Sequence, residues 1–193
     1  MRKIICFMMV SPEGYFEGPN HDLSWHNVDK EFNVFALNQM KETDLILFGR
    51  KMYKTMETFW PQAEDNPKMS KENIEIAHRM NTTKKIVFSK TLKGVRKHKN
   101  WKNVTIVRKF EPKEIRKLKA QRGKTIWVGG PNLAVNFIKE NLIDEFRLVI
   151  NPVFVGEGTT LFKGLGKRVK LNLVKTRRFK SGNVLLCYRP IKT

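Results

Sequence analysis

Cysteines, acidic residues and long apolar runs are all scarce in this sequence. The only two cysteines among 193 residues, Cys6 and Cys187, lie in apolar runs and form no Cys-x-x-Cys or cysteine–histidine cluster. This excludes the usual zinc modules and predicts no metal site, with two buried thiols in a reducing cytoplasm. The longest apolar run, residues 4–10, is too short to cross a bilayer and precedes a poor cleavage site, so we expect neither a membrane protein nor an exported one.

The scarcity of acidic residues leaves a large positive charge. Lysine and arginine number 38 and aspartate and glutamate 18, for a formal net charge of +20. Residues 90–124 contain 14 basic and 2 acidic residues, and residues 163–193 contain 10 basic residues and no acidic one. This balance favours an anionic partner, such as nucleic acid, a membrane surface or a phosphorylated small molecule. A solvated lysine-rich surface explains it better, because the basic stretches are interleaved with strand and helix patterns.

Short apolar strands alternate with amphipathic helices along most of the chain, and strands gather at its end. The predicted strands are residues 4–10, 44–49, 85–89, 104–107, 125–128, 146–155, 171–177 and 184–188. The predicted helices begin near Asn27, Arg50, Pro112 and Pro131, with a short one at 74–80 and a loop at 58–73. The order predicts one α/β domain over residues 1–193, in three layers, with a mostly parallel central sheet and a C-terminal antiparallel hairpin.

Two strand-to-helix junctions could hold phosphate. One reads Gly49-Arg50-Lys51, and the other begins at Gly129-Gly130 and continues into a helix. In an open α/β sheet, ligands bind beyond the carboxyl ends of the strands, where a helix N-terminus offers free N–H groups and glycine permits close approach. A strand–glycine–helix turn is also ordinary packing, so a single junction decides nothing. The Gly-x-Gly-x-x-Gly and Walker A patterns are both missing, which argues against the common Rossmann and P-loop domains.

Several further pieces of sequence recur in a characteristic order over nearly the whole chain. The pieces are Ser11-Pro12-Glu13-Gly14-Tyr15-Phe16, Leu23-Ser24-Trp25, Phe48-Gly49-Arg50-Lys51-Met52-Tyr53, Val87-Phe88-Ser89-Lys90, Val128-Gly129-Gly130, and residues 144–162 around Asn151-Pro152 and Gly156-Glu157-Gly158. Through them the chain resembles the dihydrofolate reductase-like superfamily. Within it, the chain is most similar to the reductase domain at the C-terminus of the bacterial riboflavin-biosynthesis deaminase-reductase, RibD, and to its stand-alone relatives.

The resemblance implies an NADPH-dependent reductase that acts on a small heterocycle of the pteridine, pyrimidine or flavin-precursor kind, and the cysteine pattern predicts a cytoplasmic location. The cofactor-binding positions that it implies are Gly49, Arg50, Lys51, Ser89 and Lys90 around the 2′-phosphate, Gly129, Gly130, Asn132 and Leu133 at the pyrophosphate, and Gly14 in the loop over the nicotinamide. Cationic side chains at one helix start suit NADP better than NAD. The sequence shows no nucleic-acid-binding motif and no membrane span, so we expect neither a specific nucleic acid nor a membrane as partner. Relatives in the riboflavin branch often form homodimers, so the resemblance leaves a homodimer open.

Four further residues are candidates for contact with the substrate. Dihydrofolate reductases have a carboxylate early in the first helix that assists protonation, and Asp29 and Glu31 lie near that place. The alternative is that each merely favours the helix dipole. Trp25 could stack on a substrate ring or pack the loop against the helix, and Glu157 could face the substrate cleft or shape a turn.

Two other functions stay open at this point. A basic nucleic-acid-binding protein would explain the charge, although residues 90–124 contain only Trp101 and Phe110 as aromatic side chains, which is a poor stacking platform. An NADPH-binding protein without turnover would keep the phosphate-binding residues and lose the reaction. The substrate also stays open, because residues 11–15 read Ser-Pro-Glu-Gly-Tyr where the riboflavin-pathway domain reads Ser-Leu-Asp-Gly-Lys.

Overall fold

The centre of the molecule is an eight-stranded sheet. The structure is a computed structural model that describes residues 1–191. In chain order the elements are β1 (Ile4–Val10), β2 (Tyr15–Glu17), α1 (Lys30–Lys41), β3 (Thr43–Gly49), α2 (Arg50–Glu64), α3 (Lys71–Thr82), β4 (Lys84–Phe88), β5 (Val104–Val107), α4 (Pro112–Ala120), β6 (Thr125–Gly129), α5 (Pro131–Lys139), β7 (Glu145–Ile150), β8 (Thr159–Thr160), β9 (Leu171–Arg178) and β10 (Val184–Pro190). The sheet order is β5-β4-β3-β6-β1-β7-β10-β9.

The direction of the strands agrees with the predicted fold class. The first six strands in this order run parallel, whereas β10 runs antiparallel to both β7 and β9. The short strands β2 and β8 form a separate antiparallel pair that the sequence did not predict. A mostly parallel sheet that ends in an antiparallel hairpin is therefore confirmed.

Strand β1 lies inside the sheet because its side chains are apolar on both faces. It pairs with β6 through Ile4 and Ile126, and with β7 through Ile5 and Glu145. Such a continuous apolar run is what a parallel strand covered on both faces requires. Helices α4 and α5 cover one face of the sheet, and α1, α2 and α3 pack on the other. No helix within residues 1–191 is long and apolar enough to cross a membrane.

Helix α2 is much longer than the sequence indicates, so the prediction of a loop over residues 58–73 is wrong. The helix continues through Pro61 to Glu64, and α3 begins at Lys71. Tyr53, Glu57 and Pro61 recur every four residues and are all buried, which places them on one face of the helix. The Tyr53 hydroxyl donates to Glu57 at 2.6 Å. Packing of this face outweighs the helix-breaking tendency of proline.

Two predicted element ends also need correction. Helix α1 is capped by Asp29 and not by Asn27, whose side-chain amide donates to the Ser181 carbonyl at 2.7 Å instead. The strand predicted over residues 146–155, with an interruption at Pro152 left open, ends at Ile150, and the Asn151 side chain then accepts a hydrogen bond from the Asn27 N–H at 2.9 Å. At both ends the observed contacts join segments that are more than 120 residues apart in the sequence.

Candidate functional site

The two glycine junctions predicted from the sequence lie side by side. Strands β3 and β6 are neighbours, and Phe48 is paired with Gly129 in their register. The chain then leaves them in opposite directions, since α2 connects β3 towards β4 and α5 connects β6 towards β7 on the other face. A crevice at such a switch point is where ligands bind in open α/β sheets. We call the end of these two strands the β3–β6 seam.

Glycine is required at the seam for reasons of space and backbone angle. A Cβ atom on Gly129 would lie 2.6 Å from Cε1 of the buried Phe48 ring. Gly130 has φ of +96°, and a Cβ atom there would lie 3.1 Å from Cβ of Met52 in α2. The two glycines thus let the start of α2 and the start of α5 approach each other closely.

Both helices at the seam begin without a side-chain cap. The N-cap residues are Gly49 for α2 and Gly130 for α5, so no side chain accepts a hydrogen bond from the first turn. By contrast, α1 and α3 are capped by the side chains of Asp29 and Ser70. Uncapped N–H groups and the positive end of the helix dipole make the start of α2 and of α5 suited to an anion.

Cations surround the start of α2. Arg50, Lys51 and Lys90 are exposed, and none of them forms an ion pair with a carboxylate within residues 1–191. Gly49 is paired with Phe88 in the β3–β4 register, so Arg50 and Ser89 follow directly on neighbouring strands. The predicted 2′-phosphate residues are therefore brought to one corner of the sheet, although their role stays a prediction.

The residues predicted at the pyrophosphate differ in their surroundings. Asn132 is exposed in the first turn of α5, so its side chain is accessible to a ligand. Leu133 is 6% exposed and belongs to the hydrophobic core, next to the β3 end of the seam. Only the backbone of Leu133 could therefore contact a phosphate.

The loop after β1 is joined to the loop after β7. Gly14 has φ of +87° with open space around its Cα, and its carbonyl accepts a hydrogen bond from the Leu161 N–H at 2.8 Å. The Glu13 carboxylate accepts hydrogen bonds from the N–H groups of Val155 at 2.7 Å and Gly156 at 3.1 Å. This role of Glu13 was not predicted, since the position of Glu13 between a strand and a glycine is the only signal of it in the sequence.

Asp29 and Glu31 lie at the start of α1 and are both engaged as carboxylates. Asp29 accepts the Phe32 N–H at 2.7 Å and so caps the helix. Glu31 accepts the Lys180 N–H at 2.9 Å and pairs with the Arg177 guanidinium at 2.8 Å. The Lys180 and Arg177 hydrogen bonds lower the pKa of Glu31, whereas a general acid needs a raised pKa. The geometry therefore favours the structural alternative for both residues.

Trp25 and Glu157 lie in the loops that follow β1 and β7. The Trp25 indole N–H donates to the Asp22 carbonyl at 3.1 Å, and its ring packs edge-on against His26. Glu157 is exposed between two glycines with positive φ, at a turn where a Cβ on Gly158 would lie 2.0 Å from the Glu17 carbonyl oxygen. These contacts favour loop packing for Trp25 and a turn around Glu157, and their contact with substrate stays a prediction.

No group of three or more histidine, cysteine, aspartate or glutamate side chains within residues 1–191 could hold a metal ion.

One functional candidate that was not predicted from the sequence is Arg108, which follows β5 at the same edge of the sheet. Its guanidinium donates to three backbone carbonyls of the turn that begins at Ser89. The available signal was its place directly after a strand, beside the end of β4.

Comparison of the sequence with known proteins identifies its relatives. The sequence model of the RibD C-terminal domain matches residues 2–185. The uncharacterized protein YyaP of Bacillus subtilis (strain 168) is 38% identical over 190 residues, which cover 97% of this chain and 94% of YyaP. A second Bacillus subtilis protein, the uncharacterized YwjB, is 42% identical over 64 residues, which cover 33% of this chain and 37% of YwjB.

Solved structures agree on the fold. A candidate riboflavin biosynthesis protein from Shewanella sp. PV-4 superposes with a TM-score of 0.74 at 23% identity, covering 98% of this chain and 99% of its own. The diaminohydroxyphosphoribosylaminopyrimidine deaminase/5-amino-6-(5-phosphoribosylamino)uracil reductase from Thermotoga maritima gives 0.65 at 15% identity, covering 98% of this chain and 57% of its own. Since the family model extends over nearly the whole sequence and the fold is shared, this chain belongs to the RibD C-terminal domain family.

Proposed function

We propose that the protein is an NADPH-dependent reductase that reduces a small, flat heterocycle of the pteridine, pyrimidine or flavin-precursor class. Membership of the RibD C-terminal domain family supports a reductase, and the Thermotoga maritima protein of the same fold carries the reductase name. The observation that carries the proposal is the β3–β6 seam, where two helices begin without side-chain caps beside the exposed cations Arg50, Lys51 and Lys90.

The residues at the seam fit the phosphates of NADPH. The first turn of α5, after Gly130, presents N–H groups for the pyrophosphate. Arg50, Lys51 and Lys90 offer full positive charges for the 2′-phosphate, which NADH lacks. When bound, the cofactor supplies the hydride, and the protein supplies binding and orientation. Asp29 caps α1 and Glu31 accepts hydrogen bonds from Arg177 and Lys180, so neither carboxyl is proposed as the proton donor.

Ligand-induced stabilisation tests the cofactor. A ligand that binds only the native state at 100 times its dissociation constant adds about 2.7 kcal/mol to the free energy of unfolding. We expect NADPH to raise the melting temperature more than NADH does at equal concentration. We expect the double variant Arg50→Ala/Lys51→Ala to remove this difference. The control Lys84→Ala removes an exposed charge from the start of β4, at the opposite end of the sheet, and should leave it unchanged.

Turnover is tested separately, by following NADPH oxidation with a panel of pteridines and aminopyrimidines. Oxidation with at least one of these compounds would support the reductase. Stabilisation by NADPH without oxidation across the panel would support the binding protein without turnover. Absence of stabilisation by either nicotinamide cofactor would refute the proposal as a whole.

A further inference from the structure

Arg108 holds one side of the turn that follows β4. Its Nη1 atom donates to the carbonyl oxygens of Leu92 at 2.7 Å, Ser89 at 3.1 Å and Lys90 at 3.4 Å. No carboxylate within residues 1–191 forms an ion pair with Arg108. Through this one nitrogen the guanidinium fixes the shape of the turn and neutralises its negative side.

The backbone N–H groups of the same turn face the Ser89 hydroxyl. Its Oγ atom accepts the N–H of Leu92 at 2.9 Å and the N–H of Thr91 at 3.3 Å. A hydroxyl has two acceptor positions and one proton. Both acceptor positions are occupied, and the proton finds no acceptor within residues 1–191, although Ser89 is only 8% exposed. The hydroxyl is therefore left with a proton to donate to a ligand oxygen.

We propose that Arg108 is a positioning residue for the 2′-phosphate of NADPH, acting through the turn of residues 89–92. By holding the turn's carbonyls it keeps their oxygens away from the anion and leaves the Ser89 hydroxyl and the Lys90 ammonium free to face it. Arg50 and Lys51 approach the same corner from the neighbouring strand. This inference rests on the proposed function, since it concerns the phosphate that distinguishes NADPH from NADH.

Binding titrations with NADPH and NADH test the inference, and they need no substrate. We expect Arg108→Met to raise the dissociation constant for NADPH about tenfold and to leave that for NADH unchanged, as the loss of one charge-assisted hydrogen bond does. Arg108→Lys should weaken NADPH binding about threefold, because the flexible lysine side chain keeps the charge but lacks the planar, fixed donor geometry of the guanidinium. The matched control Arg116→Met removes an exposed arginine of α4 and should change neither constant.

A double-mutant cycle separates positioning from the charge of Arg108 alone. We expect Ser89→Ala to raise the dissociation constant for NADPH to a similar extent as Arg108→Met. The Arg108→Met/Ser89→Ala double variant should bind NADPH about as tightly as either single variant, because both residues act through one turn. Additive losses, or full NADPH affinity in Arg108→Lys, would mean that Arg108 acts only as a distant charge and would overturn the inference.

The outcomes also separate this inference from the proposed function. A wild-type protein that binds neither cofactor refutes the function and the inference with it. A wild-type protein that prefers NADPH, together with an Arg108→Met variant that keeps the preference, refutes the inference alone. If Arg108→Met does not fold, the same comparison is made with Arg108→Lys, which retains the charge and a donor.

Discussion

Adding a single methyl group at the β3–β6 seam should destabilise the protein. In Gly129→Ala the new Cβ atom would lie 2.6 Å from Cε1 and 2.8 Å from Cδ1 of Phe48. The Phe48 ring is fully buried and packs edge-on against Trp127 at 6.2 Å between centroids, so it has little room to move. Overpacking of this kind costs roughly 1–3 kcal/mol. For a chain of this size, 2 kcal/mol corresponds to a fall of about 4–8 °C in melting temperature.

The same chemical change at Gly94 provides the control. No atom lies within 4 Å of a Cβ placed there, and its φ is outside the left-handed region. Gly94→Ala should therefore be neutral or should stabilise the protein by about 0.4–1 kcal/mol, because alanine restricts the unfolded chain. Equilibrium urea titration of both variants gives the two free energies of unfolding.

Replacement of the colliding ring tests the stated cause. Phe48→Leu removes the aromatic atoms nearest to the new methyl group. We therefore expect the Gly129→Ala/Phe48→Leu double variant to be more stable than the sum of the single changes by about 1 kcal/mol. An unchanged free energy of unfolding in Gly129→Ala, or strict additivity in the cycle, would refute the steric reasoning.

Three other predictions concern polar groups. Burial raises the pKa of Glu57, but hydrogen bonds from Lys54 and Tyr53 outweigh burial and lower the pKa below the usual 4.5. The ionised Glu57 therefore stabilises the protein above pH 4.5, and this stabilisation is lost as the pH falls through the lowered pKa. Urea titrations at two pH values should show a smaller acid-induced loss of unfolding free energy in Glu57→Gln than in the wild type. Lys85 is 1% exposed and donates to three backbone carbonyls at 2.6–3.0 Å, so Lys85→Met should cost about 2–4 kcal/mol in the same titration, and an unchanged value would contradict this. Asp29→Ala should cost about 1 kcal/mol whereas Asp29→Asn should cost little, and equal losses would contradict a capping role.

The apolar strands and the glycine junctions could be predicted because their signals are local. Residues 4–10 are apolar without interruption, and β1 has the same bounds. Gly49 and Gly129 end their strands as expected, and the helices that follow begin at Arg50 and Pro131. That the two junctions are neighbours could not be derived from either one, because the pairing of Phe48 with Gly129 joins residues 81 positions apart.

What the sequence alone could not show shares a physical cause, which is tertiary contact. Pro61 signals a helix end, yet α2 continues because its buried face packs against the rest of the protein, where the Trp101 indole N–H donates to the Tyr53 hydroxyl at 3.0 Å. Glu31 lies near the sequence position of a catalytic carboxylate, but hydrogen bonds from the Lys180 N–H and from Arg177, which is distant in sequence, lower its pKa, and its catalytic role stays a prediction. Neither Trp101 nor Arg177 could be identified as a partner from its position in the sequence.

The interior position of β1 affects how the protein folds during its synthesis. Its partners are β6 and β7, whose pairing with β1 begins at Ile126 and Glu145. At roughly 5–20 residues per second, the ribosome needs roughly 6–25 s to reach β6 after starting the chain, and longer to reach β7. Until β6 is made, the seven apolar residues of β1 have no partner strand, and this segment is exposed to aggregation during that interval.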